Sequence, residues 1–389
     1  MRLLGEDLSE ILEYLPARFK VIRQVRPKPS CTDCQQVVQE AAPSRAVERS
    51  LAGPEMLAHV LVAKFADHLP LYRQSEMYAR EGIELERSTL ADWVGGASRV
   101  MAPLVEALRR YVLDTVKLHG DDTPVPVLAP GTGRTNTGRL WTYLRDDRPA
   151  GDTTVPAVWL AYSPDRKGEH PQEHLKGFHG TLRADGYAGF NRLYESGAIQ
   201  EAAGWAHVRR KFYDLDQAHA SPVAAEMMAR VGRIYEIERE IRRRSPSERR
   251  QVRQARARPL LDAMHDGLED IQRKVSRKSG IASAIGYALG RWSAPVRYCD
   301  DGRLEIDHHA AERALRAVAL GRKNYLFAGA DCRGERAAAL YSLIGSAKLN
   351  GLDPEAYLRD VLCRIADHSI NRIAELLPSN IRPHEPAAE

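Results

Sequence analysis

Between residues 113 and 212 the hydrophobic period of the chain shortens from helical to strand-like, and that switch restricts the fold it admits. Strand-type runs stand at Thr115–Leu118, Leu140–Leu144, Ala157–Tyr162 and Gly180–Ala184. Turn chemistry separates them at Gly131-Thr-Gly133, Asp146-Asp-Arg-Pro149 and Pro164-Asp165. Short helical pieces follow, then a helix-like stretch at Ala202–Arg210. Hairpin-like strands followed by strand–helix units predict an α/β (mixed) fold, one mixed sheet with helices on its faces.

The flanking regions keep a helical period. From Pro54 to about Met101, a helix stopped at Glu81-Gly82 and a Ser88-capped helix give a helix-turn-helix shape. Many helical hairpins of this form bind nothing. Val105, Leu108, Val112 and Val116 continue one apolar face. After 212, Met227, Val231, Ile234 and Ile241 repeat at helical spacing, as do Leu261, Met264, Leu268, Ile271 and Val275. These predict a helical hairpin or small bundle inserted into the α/β region. From Asp307 the pattern is helical with one interruption at Gly329–Gly334, and the tail after Pro378 reads as polar and disordered. The expected divisions are 1–50, 51–112, 113–212, 213–300, 301–365 and a tail at 366–389.

With 389 residues, 43% hydrophobic and 28% charged, the chain has the balance of a soluble globular protein of two or three domains. No apolar run reaches the roughly 18 residues that span a membrane. Glu6, Asp7 and Glu10 occupy an N-terminus without an apolar signal region. Five cysteines in this length do not make a disulfide framework, so the expected compartment is the cytoplasm, close to the nucleoid. Phe19–Val25 reads as a strand, and Cys31-Thr-Asp-Cys34 as a knuckle turn after it. Structural zinc takes four ligands. One such pair supplies half a site, and the plainer reading is two reduced surface cysteines.

The net charge of +5 says little about partners. Its distribution says more. Arg242, Arg243, Arg244, Arg249 and Arg250 belong to a run of nine arginines between Arg239 and Arg258 that contains no lysine. The guanidinium fork matches phosphate oxygens. A solvated helix face gives the same pattern.

Three acidic residues carry the chemical signal. Asp121 and Asp185 end apolar strand-type runs, and Glu312 lies on a helical pattern. Two divalent ions about 3.5–4 Å apart activate an attacking oxygen, steady a leaving oxygen and neutralise a phosphate. Magnesium prefers hard oxygen ligands. Asp121 is the candidate bridge between two Mg2+ ions, with Asp185 and Glu312 flanking it and Mn2+ an alternative metal. Each acid also has a plain structural reading: an Asp-Gly turn at 185–186, a loop cap at Asp121-Asp122, and an i,i+4 pair of Glu312 with Arg316. Asp165, Asp214 and Asp307 are further acids that suit such a scheme. Asp122, His207, Arg313 and Arg316 stand as supporting residues. Arg209, Arg210, Lys211, Arg322 and Lys323 are candidate phosphate contacts.

At these residues the chain resembles the insertion-sequence-66 family of transposases, which carry a DDE-type RNase H-like domain. Tyr14-Leu-Pro-Ala-Arg-Phe-Lys-Val-Ile-Arg23, His68-Leu-Pro-Leu-Tyr-Arg73, Asp121-Asp-Thr-Pro124, Ala184-Asp-Gly-Tyr-Ala188, His207-Val-Arg-Arg-Lys-Phe212, Ala311-Glu-Arg313, Gly321–Phe327 and Lys348–Leu352 carry it. The resemblance implies DNA transposition with Asp121, Asp185 and Glu312 in the metal-binding roles, and a helical insertion between the second Asp and the Glu. It implies that Cys31 and Cys34 are the second half of the family's zinc ribbon, the first pair lying upstream of the stretch at which this chain starts. It also marks departures: Gly204 stands where the family has cysteine, His308 and His309 where it has asparagines, and Asp122 where it has glutamate.

The expected function is metal-dependent cleavage and strand transfer at insertion-sequence ends, by a homo-oligomer on DNA with accessory transposition proteins. A non-catalytic DNA-binding remnant and a general RNase H-like nuclease are the rivals.

Overall fold

The computed structural model describes residues 19–381 apart from His308. The motifs through Arg18 and the ending at 382–389 lie outside the described residues.

Four helices come first: α1 (Pro54–Phe65), α2 (Leu71–Arg80), α3 (Arg87–Val100) and α4 (Ala102–Leu113). α1 is apolar nearly all round, and Leu57, Val60, Leu61 and Phe65 are buried in consequence. Ser88, the expected cap of α3, sits inside its first turn, and Glu86 holds the cap position without a side-chain bond.

The sheet follows. β1 (Lys117–Ala129), β2 (Arg134–Arg145), β3 (Ala157–Ser163), α5 (Glu169–His174), β4 (Gly180–Arg183), α6 (Asn191–Glu195) and β5 (Ile199–Ala202) build five strands in the order β3-β2-β1-β4-β5. The first three are antiparallel; β1, β4 and β5 run parallel. This is the RNase H-like mixed sheet expected from the sequence. Two details differ. β1 does not end at Asp121 but continues to Ala129, because the hairpin to β2 pairs its whole length. β5, Ile199-Gln-Glu-Ala202, carries no strand signal of its own and exists through its pairing with β4.

Helices then occupy the chain to residue 296: α7 (Trp205–His219), α8 (Pro222–Glu240), α9 (Pro246–Val252), α10 (Arg258–Lys274), α11 (Gly280–Leu289) and α12 (Ser293–Val296). The expected stripes face inward: Met227, Val231 and Ile234 of α8 meet Leu261, Met264 and Leu268 of α10 in a core of their own. α13 (His309–Gly321), α14 (Asp331–Leu349) and α15 (Pro354–Arg364) return to the sheet, where their apolar residues join the main core with α1–α4. α14 covers the outer edge of β3. The Val158 and Leu160 N–H groups donate to the hydroxyls of Ser346 and Ser342 at 3.0 and 2.7 Å, so these two edge donors are closed to water and to another strand.

Two further expectations need correction. Phe19–Val25 forms no strand and is exposed; only the turn at Cys31–Cys34, closed by a bridge between Ser30 and Val37, is regular there. The interruption falls at 322–330, and Gly334 lies inside α14, where Tyr162 occupies the space a Cβ would need. Residues 366–377 pack onto α15: Ile373, Leu376 and Leu377 are buried, and the Tyr357 hydroxyl of α15 anchors them by donating to the Leu376 carbonyl.

Candidate active site

β1 and β4 pair in parallel with Lys117 opposite Thr181, Leu118 opposite Leu182 and His119 opposite Arg183. Continued by two residues, this register sets Asp185, just past β4, level with Asp121. Side chains alternate along a strand, so Lys117, His119 and Asp121 share one face of β1. α13 packs across β1 and β2 and carries Glu312 in its first turn, with Ala311, Leu315 and Val318 buried beneath it. The interior of β1, the turn just past β4 and the first turn of α13 thus lie close enough for Asp185 and Glu312 to act on the Asp121 carboxyl.

Their electrostatics reflect that gathering. Burial pushes the Asp121 carboxyl up to about 7, and the negative charges of Asp185, Asp122 and Glu312 add to the rise, although its Oδ1 accepts the Asp122 N–H at 2.8 Å. Asp185 accepts the Tyr187 N–H at 3.1 Å, which fixes its rotamer. Glu312 lies 3.0 Å from His309 Nδ1, and His309 Nε2 lies 3.4 Å from Asp307, which also takes the Tyr235 hydroxyl and the Ala206 N–H. A carboxyl raised toward neutrality by burial and by other carboxylates marks a site short of positive charge. Its donors are hard oxygens, so the residues fit magnesium or manganese. Among the described residues, the group whose candidate ligand atoms all lie within 4.8 Å of one another is instead Asp165, Glu169 and His170 on the surface.

Asp122, the next residue along β1, faces away from Asp121. Its side chain is 1% exposed and pairs with Arg139 at 3.0 Å and Arg166 at 2.8 Å. The Arg166 guanidinium then reaches Asp185 at 3.8 Å and lies 4.0 Å from the centre of the Tyr187 ring. Sequence reasoning missed Arg166 because it stands in the loop after β3, with no local signal to connect it to Asp185. His207, in the first turn of α7, lines a cleft with Asp185, Gly186, Gly204, Tyr287 and Arg291. On the other side, Glu312, Arg313, Leu315, Arg316 and Ala319 line an open groove of about 310 Å³ with Thr123.

Below the carboxylates the same face carries a buried charge network. Lys117 Nζ bonds Glu305 at 2.8 Å and pairs with Asp147 at 3.0 Å. Arg183 is fully buried, with Nε 3.9 Å from Glu305. Burial works to raise the Glu305 carboxyl, but the Lys117 and Arg183 cations hold it down at about 2. Burial pushes His119 down to about 3, so it stays neutral.

The expected phosphate contacts divide. Arg209, Arg210 and Lys211 are exposed on α7, with Arg210 3.9 Å from Asp214. Lys323 is exposed beyond α13, and Arg322 donates to the Pro124 carbonyl. Arg242, Arg243, Arg244 and Arg250 are exposed around the turn from α8 to α9. Arg249 is corrected: it is buried and donates to the carbonyls of Pro149 and Leu304. Burial lowers its guanidinium to about 10. Arg253 is likewise buried against Glu238 at 2.7 Å. Cys31 and Cys34 are exposed free thiols, and the backbone N–H of Cys34 holds the Cys31 thiol below its ordinary value.

Comparison with known proteins decides the family. The model described as "Transposase IS66 family" matches residues 49–336, and those for the IS66 C-terminal element and the zinc-finger binding domain of transposase IS66 match 342–379 and 1–35. The chain belongs to the IS66 transposase family. Two relatives in Sinorhizobium fredii (strain NBRC 101917 / NGR234) are the uncharacterized proteins y4hP and y4jD. The first is 44% identical over 96% of this chain and 70% of its own length; the second is 39% identical over 97% and 76%. Membership makes this IS66 protein a transposase with DNA as its partner, and it carries the zinc-finger region that ends with Cys31 and Cys34. No helix among the described residues is long and apolar enough to cross a membrane.

Proposed function

We propose that this IS66-family protein cleaves insertion-sequence ends and joins the freed 3′ hydroxyls to target DNA, using Asp121, Asp185 and Glu312 to hold two Mg2+ ions, or Mn2+ in their place. The supporting observation is the parallel register that sets Asp121 level with Asp185, with α13 bringing Glu312 near enough to raise the Asp121 carboxyl. Bound divalent ions supply charge neutralisation on the scissile phosphate and polarise the attacking and leaving oxygens.

The protein's own groups position the reactants. Asp121 sits on a continuous strand and cannot shift without disturbing the pairing with β2. Asp185 is steadied by the Tyr187 N–H and by Arg166, itself fastened to Asp122. His309 links Glu312 to Asp307 and so to α7 and α8. Arg313 and Arg316 flank the groove beside Glu312 and face the negative phosphate ester there. In the first step a water oxygen attacks phosphorus and the 3′ oxygen of the element end leaves. In the second, that 3′ oxygen attacks a target phosphate and displaces the target's 3′ oxygen.

Arg209, Arg210, Lys211, Arg322, Lys323 and the exposed Arg242, Arg243, Arg244 and Arg250 hold flanking DNA in this reading. The helices before the sheet serve DNA recognition. A zinc ion at Cys31 and Cys34 needs two more ligands than that turn supplies. Holding two element ends calls for a homo-oligomer, with accessory proteins as further partners.

The test is magnesium-dependent strand transfer on labelled DNA ends, with Glu312→Gln as control. Cleavage and joining by the natural chain and neither by the variant is the expected result. Cleavage without joining makes the protein a nuclease. Metal-independent DNA binding with no cleavage makes it a binding remnant.

A further inference from the structure

The stretch after α13 is held in an unusual way. Tyr325 turns inward: its hydroxyl lies 2.7 Å from that of Tyr341, and Lys64 Nζ lies 4.6 Å from the centre of its ring. The next two side chains turn outward, with Leu326 76% and Phe327 45% exposed. The backbone there is fixed. Ala328 N–H donates to the Pro126 carbonyl and Leu128 N–H to the Ala328 carbonyl, both at 2.8 Å, so the loop is pinned to the outer half of β1. Arg322 adds its bond to the Pro124 carbonyl at 2.6 Å. Two large apolar side chains are thus held in water by a loop that has no freedom to tuck them away.

The approach to this loop is cationic and begins at the candidate active site. Glu312, Arg316 and Leu320 follow one another at four-residue steps on the exposed face of α13, with Arg313 beside them and Lys323 beyond. From Glu312 to Leu320 the helix rises about 12 Å. That is about three or four phosphates of one DNA strand at ~3.4 Å each. A strand leaving the scissile phosphate along this stripe meets Leu326 and Phe327 within a few nucleotides. Charge complementarity selects a polyanion as occupant, and the flat ring beside cations suits an exposed base. A paired duplex offers no base face to such a ring.

We propose that Phe327, with Leu326 at its side, is a stacking platform for an unpaired base of the DNA strand that runs from the active site along α13, so that the protein prefers DNA whose strands are splayed near the cleavage point. This rests on the reading of Asp121, Asp185 and Glu312 as the cleavage site.

The experiment measures binding of the full chain to a forked DNA and to a fully paired duplex of the same sequence, by fluorescence anisotropy with calcium in place of magnesium. The expected result is about a tenfold preference for the fork, the scale of one base–aromatic stack. Phe327→Trp keeps the preference, Phe327→Leu weakens it, and the pair Leu326→Ala with Phe327→Ala removes it. These side chains are exposed, so melting temperature stays unchanged and serves as the folding control. Equal affinity for fork and duplex, or a preference that survives the double variant, overturns the proposal. So does a double variant that binds both DNAs normally while turning dimers into monomers in sedimentation, which makes the patch a contact between copies of this chain. A Glu312→Gln chain that stops cleaving but keeps the fork preference supports the platform and leaves the two claims separable. Normal cleavage with no fork preference sinks the platform alone, and failure to bind any DNA at low salt sinks both.

Discussion

Lys117, His119 and Asp121 follow one another at alternate positions of β1, and Thr181, Arg183 and Asp185 run beside them on or just past β4. The lower half of this face is a closed network. Lys117 and Arg183 are buried around Glu305, and the acid is stabilised in its charged form. The upper half is a collection of carboxylates. Asp121 is surrounded by other acids, its carboxyl is pushed up to about 7, and Asp185 and Glu312 stand partly open to solvent. The same strands and the same side of the sheet thus serve structure at one level and, in the function proposed above, chemistry at the next. What separates them is whether the fold brings its own countercharge.

The sharpest way to break this comparison is to neutralise the upper half. Asp121→Asn, Asp185→Asn and Glu312→Gln should each lower strand cleavage at least ~1,000-fold, the scale of removing a central electrostatic group, while thermal melting stays level or rises as repulsion is relieved. Retained cleavage in any one of them removes that residue from the site.

The lower half should respond in the opposite manner. Glu305→Gln leaves Lys117 and Arg183 buried with less countercharge, and should cost about 3–5 kcal/mol of stability in urea unfolding. The variant should keep its magnesium dependence as far as it remains folded. The pH dependence follows with a definite sign. The folded Glu305 carboxyl sits at about 2, below the ordinary 4.5, so its stabilisation is present above pH 4.5 and is lost as pH falls toward 2. The stability gap between natural chain and variant should close over that window. A gap independent of pH there would dissociate Glu305 from the network.

Arg166 sharpens the boundary between the halves, since it ties a fully buried acid, Asp122, to the half-open Asp185. Arg166→Ala should raise the magnesium concentration for half-maximal cleavage about three- to fivefold, in keeping with a partly exposed ion pair worth up to ~1 kcal/mol. Manganese binding followed by calorimetry should weaken in parallel, with Arg166→Lys intermediate. An unchanged metal affinity would confine Arg166 to holding Asp122.

The smallest effect concerns the arginine run. Removing Arg242, Arg243, Arg244 and Arg250 together should flatten the salt dependence of DNA binding, by about 0.9 in logarithmic slope for each phosphate that is no longer neutralised. Arg249→Ala should leave the slope alone and lower the melting temperature, because its partners are carbonyls inside the protein.

Several parts of this molecule are legible from the chain alone. The strand-type runs, the helical stripes of α8 and α10 and the acids at 121, 185 and 312 depend on spacing along the chain, which sequence displays directly. β5 is not legible because four residues with two polar ones have no period; parallel pairing with β4 makes them a strand. Phe19–Val25 has a strand's composition but no neighbour to pair with among the described residues. Arg249 and Arg253 look identical to Arg250 and Arg244 in sequence. Only the packing of α9 and the turn after it against Glu238, Leu304 and Tyr298 decides which guanidinium groups face inward.

The sequence by itself determined the mixed α/β class, the family, and three acidic residues in two strand settings and one helical one. Each is a property of residue type at a given spacing, and local physics is enough to read it. The tertiary structure alone decided that Asp122 turns away from Asp121 to fasten Arg166, that Glu305 answers the charges under the site, and that Leu326 and Phe327 stand in water. Those outcomes depend on burial and on partners distant in sequence. A side chain's charge state and role follow from that surrounding dielectric and countercharge rather than from its neighbours in the chain.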